Sequence, residues 1–275
     1  MVTSAPFRFG VVATPVGGPE QWVATARRVE ELGYSTLLMP DGLQLLSPFP
    51  SLAVAASETT TLRVGTFVLA SPLRTPYAAA WDAHSLTVLT GGRFDIGIGT
   101  GRPAVREFAE RIGLPFGTGA QRLAQVEETL AHLRELDGEQ HTPVLLAAAG
   151  PKALALAGRV ADIVTIAAGA LTPRAEVEAM AASIRAAAGD RAEEIELAMN
   201  LFVVGEEVPP WVVQFTGADA AAMVEHDSLT MLRGSTVEMA DELRRRRDTI
   251  GTSYISVNAA FFEQLAPVVE LLAGT

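Results

Sequence analysis

The sequence predicts an α/β protein, a single-domain (β/α)8 TIM barrel, on three observations. Apolar runs of strand length alternate with amphipathic runs of helix length from one end to the other, the pattern of parallel βα units rather than of segregated α and β regions. The strand and helix pairs number eight, which is the arithmetic of the barrel. A length of 275 residues suits one α/β barrel domain spanning 1–275. An open, doubly wound sheet of the same eight units is the structural alternative.

In chain order the strands are expected at Phe7–Thr14, Ser35–Met39, Leu62–Ala70, Phe94–Gly99, Val144–Ala148, Asp162–Ile166, Glu196–Val204 and Ser253–Val257. Stretches such as Ile163 to Ile166 are aliphatic or β-branched almost throughout, as strands buried on both faces should be. Helices are expected at Glu20–Leu32, Ser51–Thr59, Tyr77–Leu89, Val105–Leu136 with a break at Gly113 to Gly119, Pro151–Arg159, Pro173–Ala188, Val237–Ile250 and Phe262–Leu272. Pro19 near the start of the first helix and Gly33 just past its end are good punctuation. Two connections are long, Gly42 to Pro50 and Gly205 to Ser235. Long loops after barrel strands usually shape the site. The second carries Pro209-Pro210-Trp211 and Phe215, aromatics that either cover a substrate or join the outer core.

A formal net charge of −11 and a pI near 4.9 argue against a nucleic-acid partner, since polyanion binding depends on clustered positive charge. Arg244 to Arg247 lie late in a helical pattern, where cations suit the helix dipole and a solvated face. No apolar run approaches the roughly 20 residues that span a bilayer, and Met1 to Gly10 lacks the features of a signal peptide. The expectation is a cytoplasmic protein without a membrane partner. With no cysteine, disulfides, thiolate nucleophiles and cysteine-ligated metals are excluded. His84, His132, His141 and His226 are scattered and show no metal spacing. His226-Asp227-Ser228 holds the residue types of a hydrolase triad, but consecutive residues rarely align for one and no G-x-S-x-G is present.

The chemistry-bearing candidates lie at predicted strand ends. From Leu89 to Gly101 a turn, a short apolar strand and a glycine-rich segment follow one another, and bare glycines let a backbone approach a ligand closely. Gly99-Thr100-Gly101-Arg102-Pro103-Ala104 satisfies G-x-G-x-x-A. It starts at the fourth strand, however, contains a proline and lacks an acidic strand end about 20 residues on. It reads either as a loop facing an anion or as a plain tight turn. Lys152 is the single lysine among 21 basic residues. In Ala149-Gly150-Pro151-Lys152 it opens a helix, where free first-turn amides and a point charge together suit an anion, against the alternative of an ordinary helix start. Asp41 is the one carboxylate at a strand end with a loop following, a catalytic group or a turn former. Ala70-Ser71-Pro72-Leu73-Arg74-Thr75-Pro76 leaves the third strand and bends at paired prolines.

Together and in this order, these segments resemble the luciferase-like flavin and deazaflavin oxidoreductases, the barrel superfamily of bacterial luciferase and the coenzyme F420-dependent reductases. The resemblance runs through Phe7-Arg8-Phe9-Gly10-Val11, Glu30-Glu31-Leu32-Gly33-Tyr34, Leu38-Met39-Pro40-Asp41, Leu62-Arg63-Val64-Gly65-Thr66, Arg74-Thr75-Pro76, Leu89-Thr90-Gly91-Gly92-Arg93 and Ala161-Asp162-Ile163. Leu-x-Gly-Gly-Arg followed by Gly97-Ile98-Gly99-Thr100-Gly101 is its most specific part.

The resemblance implies a tricyclic cofactor, coenzyme F420 first and FMN second, and a small organic substrate. The ring is expected against a bulge, often with a non-prolyl cis peptide, matching Ala70-Ser71. Asp41 takes the acidic position after the second strand. The phosphate region maps to Thr100-Gly101-Arg102 and Ala149-Gly150-Pro151-Lys152. A homodimer is expected. Many relatives place His after the acidic residue, where this chain has Gly42; Thr87 stands where Asp is frequent, and the stretch before the fifth strand is short. The function implied is F420-dependent hydride transfer. The alternatives are an FMN-dependent monooxygenase and a non-catalytic flavin-binding or partner subunit.

Overall fold

The computed structural model describes residues 5–275. In chain order the elements are β1 Arg8–Val12, α1 Pro19–Glu31, β2 Thr36–Met39, α2 Pro48–Ser57, β3 Arg63–Thr66, β4 Leu69–Ala70, α3 Pro76–Leu89 and β5 Phe94–Gly99. Then come α4 Arg106–Arg111, α5 Gly119–Asp137, β6 Val144–Ala148, α6 Pro151–Val160, β7 Ile163–Ile166 and α7 Arg174–Ala188. The chain ends with β8 Glu196–Leu201, β9 Val203–Val204, α8 Pro210–Thr216, α9 Ala220–Glu225, β10 Met231–Leu232, α10 Thr236–Thr249, β11 Thr252–Asn258 and α11 Phe262–Leu272. All eight expected strands and all eight expected helical regions are present, and the fold is of the (β/α)8 TIM-barrel class.

Two compact units share this order, one built from Val12–Glu30 and Thr36–Ala147, the other from Met1–Val11, Glu31–Ser35 and Ala148–Thr275. In the first, β2 pairs with β3, β3 and β4 with β5, and β5 with β6, all parallel. In the second, β7 and β11 flank β8, also parallel. Strands β2, β5 and β7 are buried at every position, which accounts for their largely apolar sequence; the charged exception, Asp95 of β5, is paired with Arg63.

Three expectations change. The third strand is not continuous: β3 and β4 are separated at Phe67–Val68, which is where the non-prolyl cis peptide lies, three residues before Ala70-Ser71. Ser71 instead opens a single 3₁₀ turn over Ser71–Leu73. The connection from Gly42 is shorter than expected, because α2 begins at Pro48. Third, Gly205 to Ser235 is no simple loop. It folds as α8 and α9 between β9 and β10, which pair in parallel. Helices of seven and six residues span too few turns to show a helical period, so these two are hidden in the sequence.

The glycines of β5 also have a different role from the one their bareness suggests. A Cβ on Gly97 would lie 1.8 Å from the Thr66 carbonyl oxygen, and one on Gly99 3.1 Å from a Val68 methyl. The space they leave is filled by the end of β3 and the chain that follows it, and Thr66 Oγ1 donates to the Gly97 carbonyl at 2.7 Å. They are packing glycines. Arg93 of the Gly-Gly-Arg segment likewise works inside the fold, donating to the carbonyls of Leu62 and Ala56 at 2.7 and 2.9 Å.

Candidate functional site

Asp41 lies two residues past the C-terminal end of β2, where barrel enzymes carry their chemistry. Its side chain is only 3% exposed. Oδ2 accepts from Arg74 Nη1 at 2.6 Å and from the Ala70 amide at 3.1 Å, while Oδ1 accepts from Arg74 Nη2 at 3.1 Å. A two-pronged guanidinium pair of this kind fixes direction as well as distance. Asp41 therefore holds both ends of the turn from Ala70 to Arg74. Thr75 then caps α3 by accepting from the Ala78 amide.

A second loop is tied to the same turn. Gly101 has φ +75°, and a Cβ there would meet the Pro72 ring at 3.2 Å, so the Thr100-Gly101-Arg102 backbone runs close over Pro72. Arg122 holds it: its Nε donates to the Thr100 carbonyl at 2.8 Å and its Nη1 to Gly117 at 3.0 Å, while Ser71 Oγ donates to the Arg122 carbonyl at 3.2 Å. Its guanidinium stacks 4.1 Å from the centre of the buried Phe116 ring. Sequence reasoning missed Arg122. The signal was the capping box Thr118-x-x-Gln121, which starts α5 at Gly119 and puts Arg122 in its first turn. Among the proposed site residues, the structure thus brings Asp41, Ala70, Ser71, Thr100 and Gly101 into one bonded arrangement, with Arg102 exposed beside it.

Ala149, Gly150, Pro151 and Lys152 belong to the other unit. Pro151 is the first residue of α6 and Gly150 its N-cap, with no side-chain capping bond. A Cβ on Gly150 would meet nothing within 4 Å, and Lys152 is exposed. Open first-turn amides, a missing side chain and a cation fit a phosphate group.

The same unit carries a polar row that the sequence did not single out. Tyr254 and Ser256 of β11 stand opposite Ala198 and Asn200 of β8. Arg8 pairs with Glu196 at 3.1 Å and stacks 4.3 Å from the centre of the Tyr254 ring, and Ser256 Oγ donates to Asn200 Oδ1 at 2.9 Å. Beyond the ends of these strands, Phe215 of α8 packs edge-on to Phe202 and Trp211 leans on Phe261.

Thr87, where Asp is frequent in the resembling family, is buried and shares a 2.7 Å hydroxyl bond with Thr142, a packing role. Among the described residues no His, Cys, Asp and Glu cluster suits a metal ion, and no helix is long and apolar enough to cross a membrane.

The F420-dependent glucose-6-phosphate dehydrogenase of Beutenbergia cavernae is 29% identical over 175 residues, which is 52% of this chain and 51% of that protein. The chain spans about half the length of the curated relatives it matches. Among solved structures, the coenzyme F420 dependent tetrahydromethanopterin reductase from Methanopyrus kandleri superposes with a TM-score of 0.74 at 17% identity, covering 98% of this chain and 99% of that one. The oxygenating constituent of 3,6-diketocamphane monooxygenase from Pseudomonas putida, in complex with FMN, gives a TM-score of 0.71 at 14% identity, covering 98% of both chains. These likenesses carry the fold. The family model for luciferase-like monooxygenases matches residues 1–209, about three quarters of the chain, and the protein belongs to that family.

Proposed function

We propose that this chain, acting as one domain over 1–275, is an F420-dependent oxidoreductase that moves hydride between the deazaflavin and a small organic substrate. The observation that carries the reading is the uncapped start of α6, where Gly150 leaves open space and the single lysine supplies charge. That arrangement suits a cofactor bearing a phosphate. The choice of F420 over FMN rests on the F420-dependent relatives. When bound, the deazaflavin supplies the hydride chemistry, and the protein's part is to hold and orient it.

In this reading Ala149, Gly150, Pro151 and Lys152 take a phosphate; Ala70, Ser71, Thr100, Gly101 and Arg102, in the other unit, are proposed on their own account as cofactor-binding residues. Asp41 acts by position. Its carboxylate is committed to Arg74 and the Ala70 amide, so it sets the backbone that meets the ring rather than exchanging a proton.

The protein is further proposed to be a homodimer. Tyr77, Trp81 and Val88 are exposed apolar residues on one face of α3, with His84 between the last two, Trp81 being 60% exposed. An apolar patch of this kind suits a self-complementary two-fold contact.

Titration with F420, FMN and riboflavin, followed by cofactor absorbance and fluorescence, tests the reading. F420 is expected to bind most tightly and riboflavin, without a phosphate, most weakly. Preference for FMN, with oxygen consumption by the reduced complex, would favour the monooxygenase instead. Tight binding without turnover would favour the non-catalytic subunit.

A further inference from the structure

The substrate class follows from what surrounds the C-terminal ends of β8 and β11. Strand residues two apart share a face, so Ala198 and Asn200 lie in one row with their partners Tyr254 and Ser256. Phe202 is the residue just past β8. Phe215 packs on Phe202 with ring centres 5.5 Å apart, and Trp211 on Phe261, three residues past β11, at 6.5 Å. Helix α8 is therefore seated over the strand ends where barrel substrates bind. Trp211 and Phe215 remain 42% and 51% exposed there.

Charge narrows the class further. From Val203 to Leu232 the chain has five carboxylates and no lysine or arginine. The arginine that follows, Arg233, is paired with Glu206 at 3.8 Å. Nothing in this segment would neutralise a phosphate or carboxylate on the substrate. Asn200, by contrast, offers a hydrogen-bond donor. Its Oδ1 is taken by the Ser256 hydroxyl, which fixes the amide so that Nδ2 is the group left to point elsewhere.

We infer, resting on the oxidoreductase reading, that Asn200, Trp211 and Phe215 bind an uncharged, ring-bearing substrate through one carbonyl or hydroxyl oxygen, and that phosphorylated substrates are rejected. Trp211 and Phe215 supply apolar area, and Asn200 Nδ2 donates to the oxygen.

The test compares 2-acetonaphthone with 2-naphthyl phosphate, which share a ring and differ in charge. Binding to the full-length protein is followed by saturation-transfer NMR, with and without F420. The ketone is expected to bind at least tenfold more tightly than the phosphate ester. Trp211→Ala and Phe215→Ala should each weaken the ketone roughly five- to tenfold. Asn200→Asp keeps an acceptor for Ser256 but removes the donor, and should cost a similar factor with unchanged melting temperature. Glu207→Gln should raise affinity for the ester alone. Equal or tighter binding of the ester to the F420-saturated protein, or ketone affinity unmoved by all three weakening variants, overturns the inference. The cofactor reading fails separately, by the absence of any F420 absorbance change while the ketone still binds.

Discussion

Arg74 places both terminal nitrogens of its guanidinium on the Asp41 carboxylate, at 2.6 and 3.1 Å, and that carboxylate also receives the Ala70 amide. One ion pair thus joins the end of β2 to the turn that leaves β4. Removing either partner leaves a poorly hydrated charge behind, which costs more than the pair itself contributes. Asp41→Asn and Arg74→Ala are each expected to weaken F420 binding about tenfold or more. If Asp41 only positions the backbone, the pH profile of turnover in Asp41→Asn should keep the wild-type shape at a lower height. A vanished acidic limb would make Asp41 a proton-transfer group.

Lys152 adds charge to a helix start that already presents free amides. Loss of a charge-assisted contact is worth roughly 1.5–3 kcal/mol, so Lys152→Ala should weaken F420 by about tenfold or more and leave riboflavin unaffected. Equal F420 affinity in both proteins would remove Lys152 from the phosphate site.

Glu30 makes a stability prediction away from the site. Its Oε1 accepts from the amides of Thr60, Thr61 and Leu62 at 2.9, 2.6 and 2.8 Å. Burial alone would push the carboxyl up, but the bonds from Thr61, Leu62 and Thr60 outweigh it and bring it down to about 2. A lowered folded-state value contributes stability above the unfolded value near 4.5, lost as pH falls from there towards 2. Glu30→Ala should cost ~1–2 kcal/mol at neutral pH, after allowance for solvent screening. Denaturant melts at pH 7 and pH 3 check this, the gap between the proteins narrowing in acid.

Arg246 is 2% exposed and donates to Glu242, Leu229 and Met231 at 2.7, 2.6 and 3.0 Å. It anchors the return of the α8–α9 segment to α10. Arg246→Met would strand two carbonyls and leave Glu242 with less compensation, and is expected to destabilise by about 3 kcal/mol. Burial pushes the Glu242 carboxyl up, yet the bond and charge of Arg246, then Arg174, hold it below its ordinary value. That contribution is present above the ordinary carboxylate value and fades as pH falls through the lowered one. A thermal melt of the variant within 1 °C of wild type would refute the anchor.

Trp81 tests the dimer. If the proposed homodimer forms through the exposed α3 residues, Trp81→Glu places a charge in the contact and should sediment as a monomer at concentrations where the wild type sediments as a dimer. An unaltered mass in the variant would place the contact elsewhere.

The sequence by itself determined the order of elements and the family. Strand and helix periods are local, and buried parallel strands such as Ile163–Ile166 must be apolar on both faces. It also marked Asp41 and Gly150-Pro151-Lys152, because their chemistry sits beside strand ends that the same periodicity locates. What it did not determine is which groups meet. That Asp41 is committed to Arg74 and Ala70, that Gly97 and Gly99 make room for Thr66 and Val68, that Arg122 carries the Thr100 carbonyl and that Asn200 faces Ser256 are pairings between residues 22 to 56 positions apart. No local spacing encodes them. Such contacts exist only once parallel strands have aligned in register and side chains two apart have fallen on a common face, so only the tertiary structure decided them.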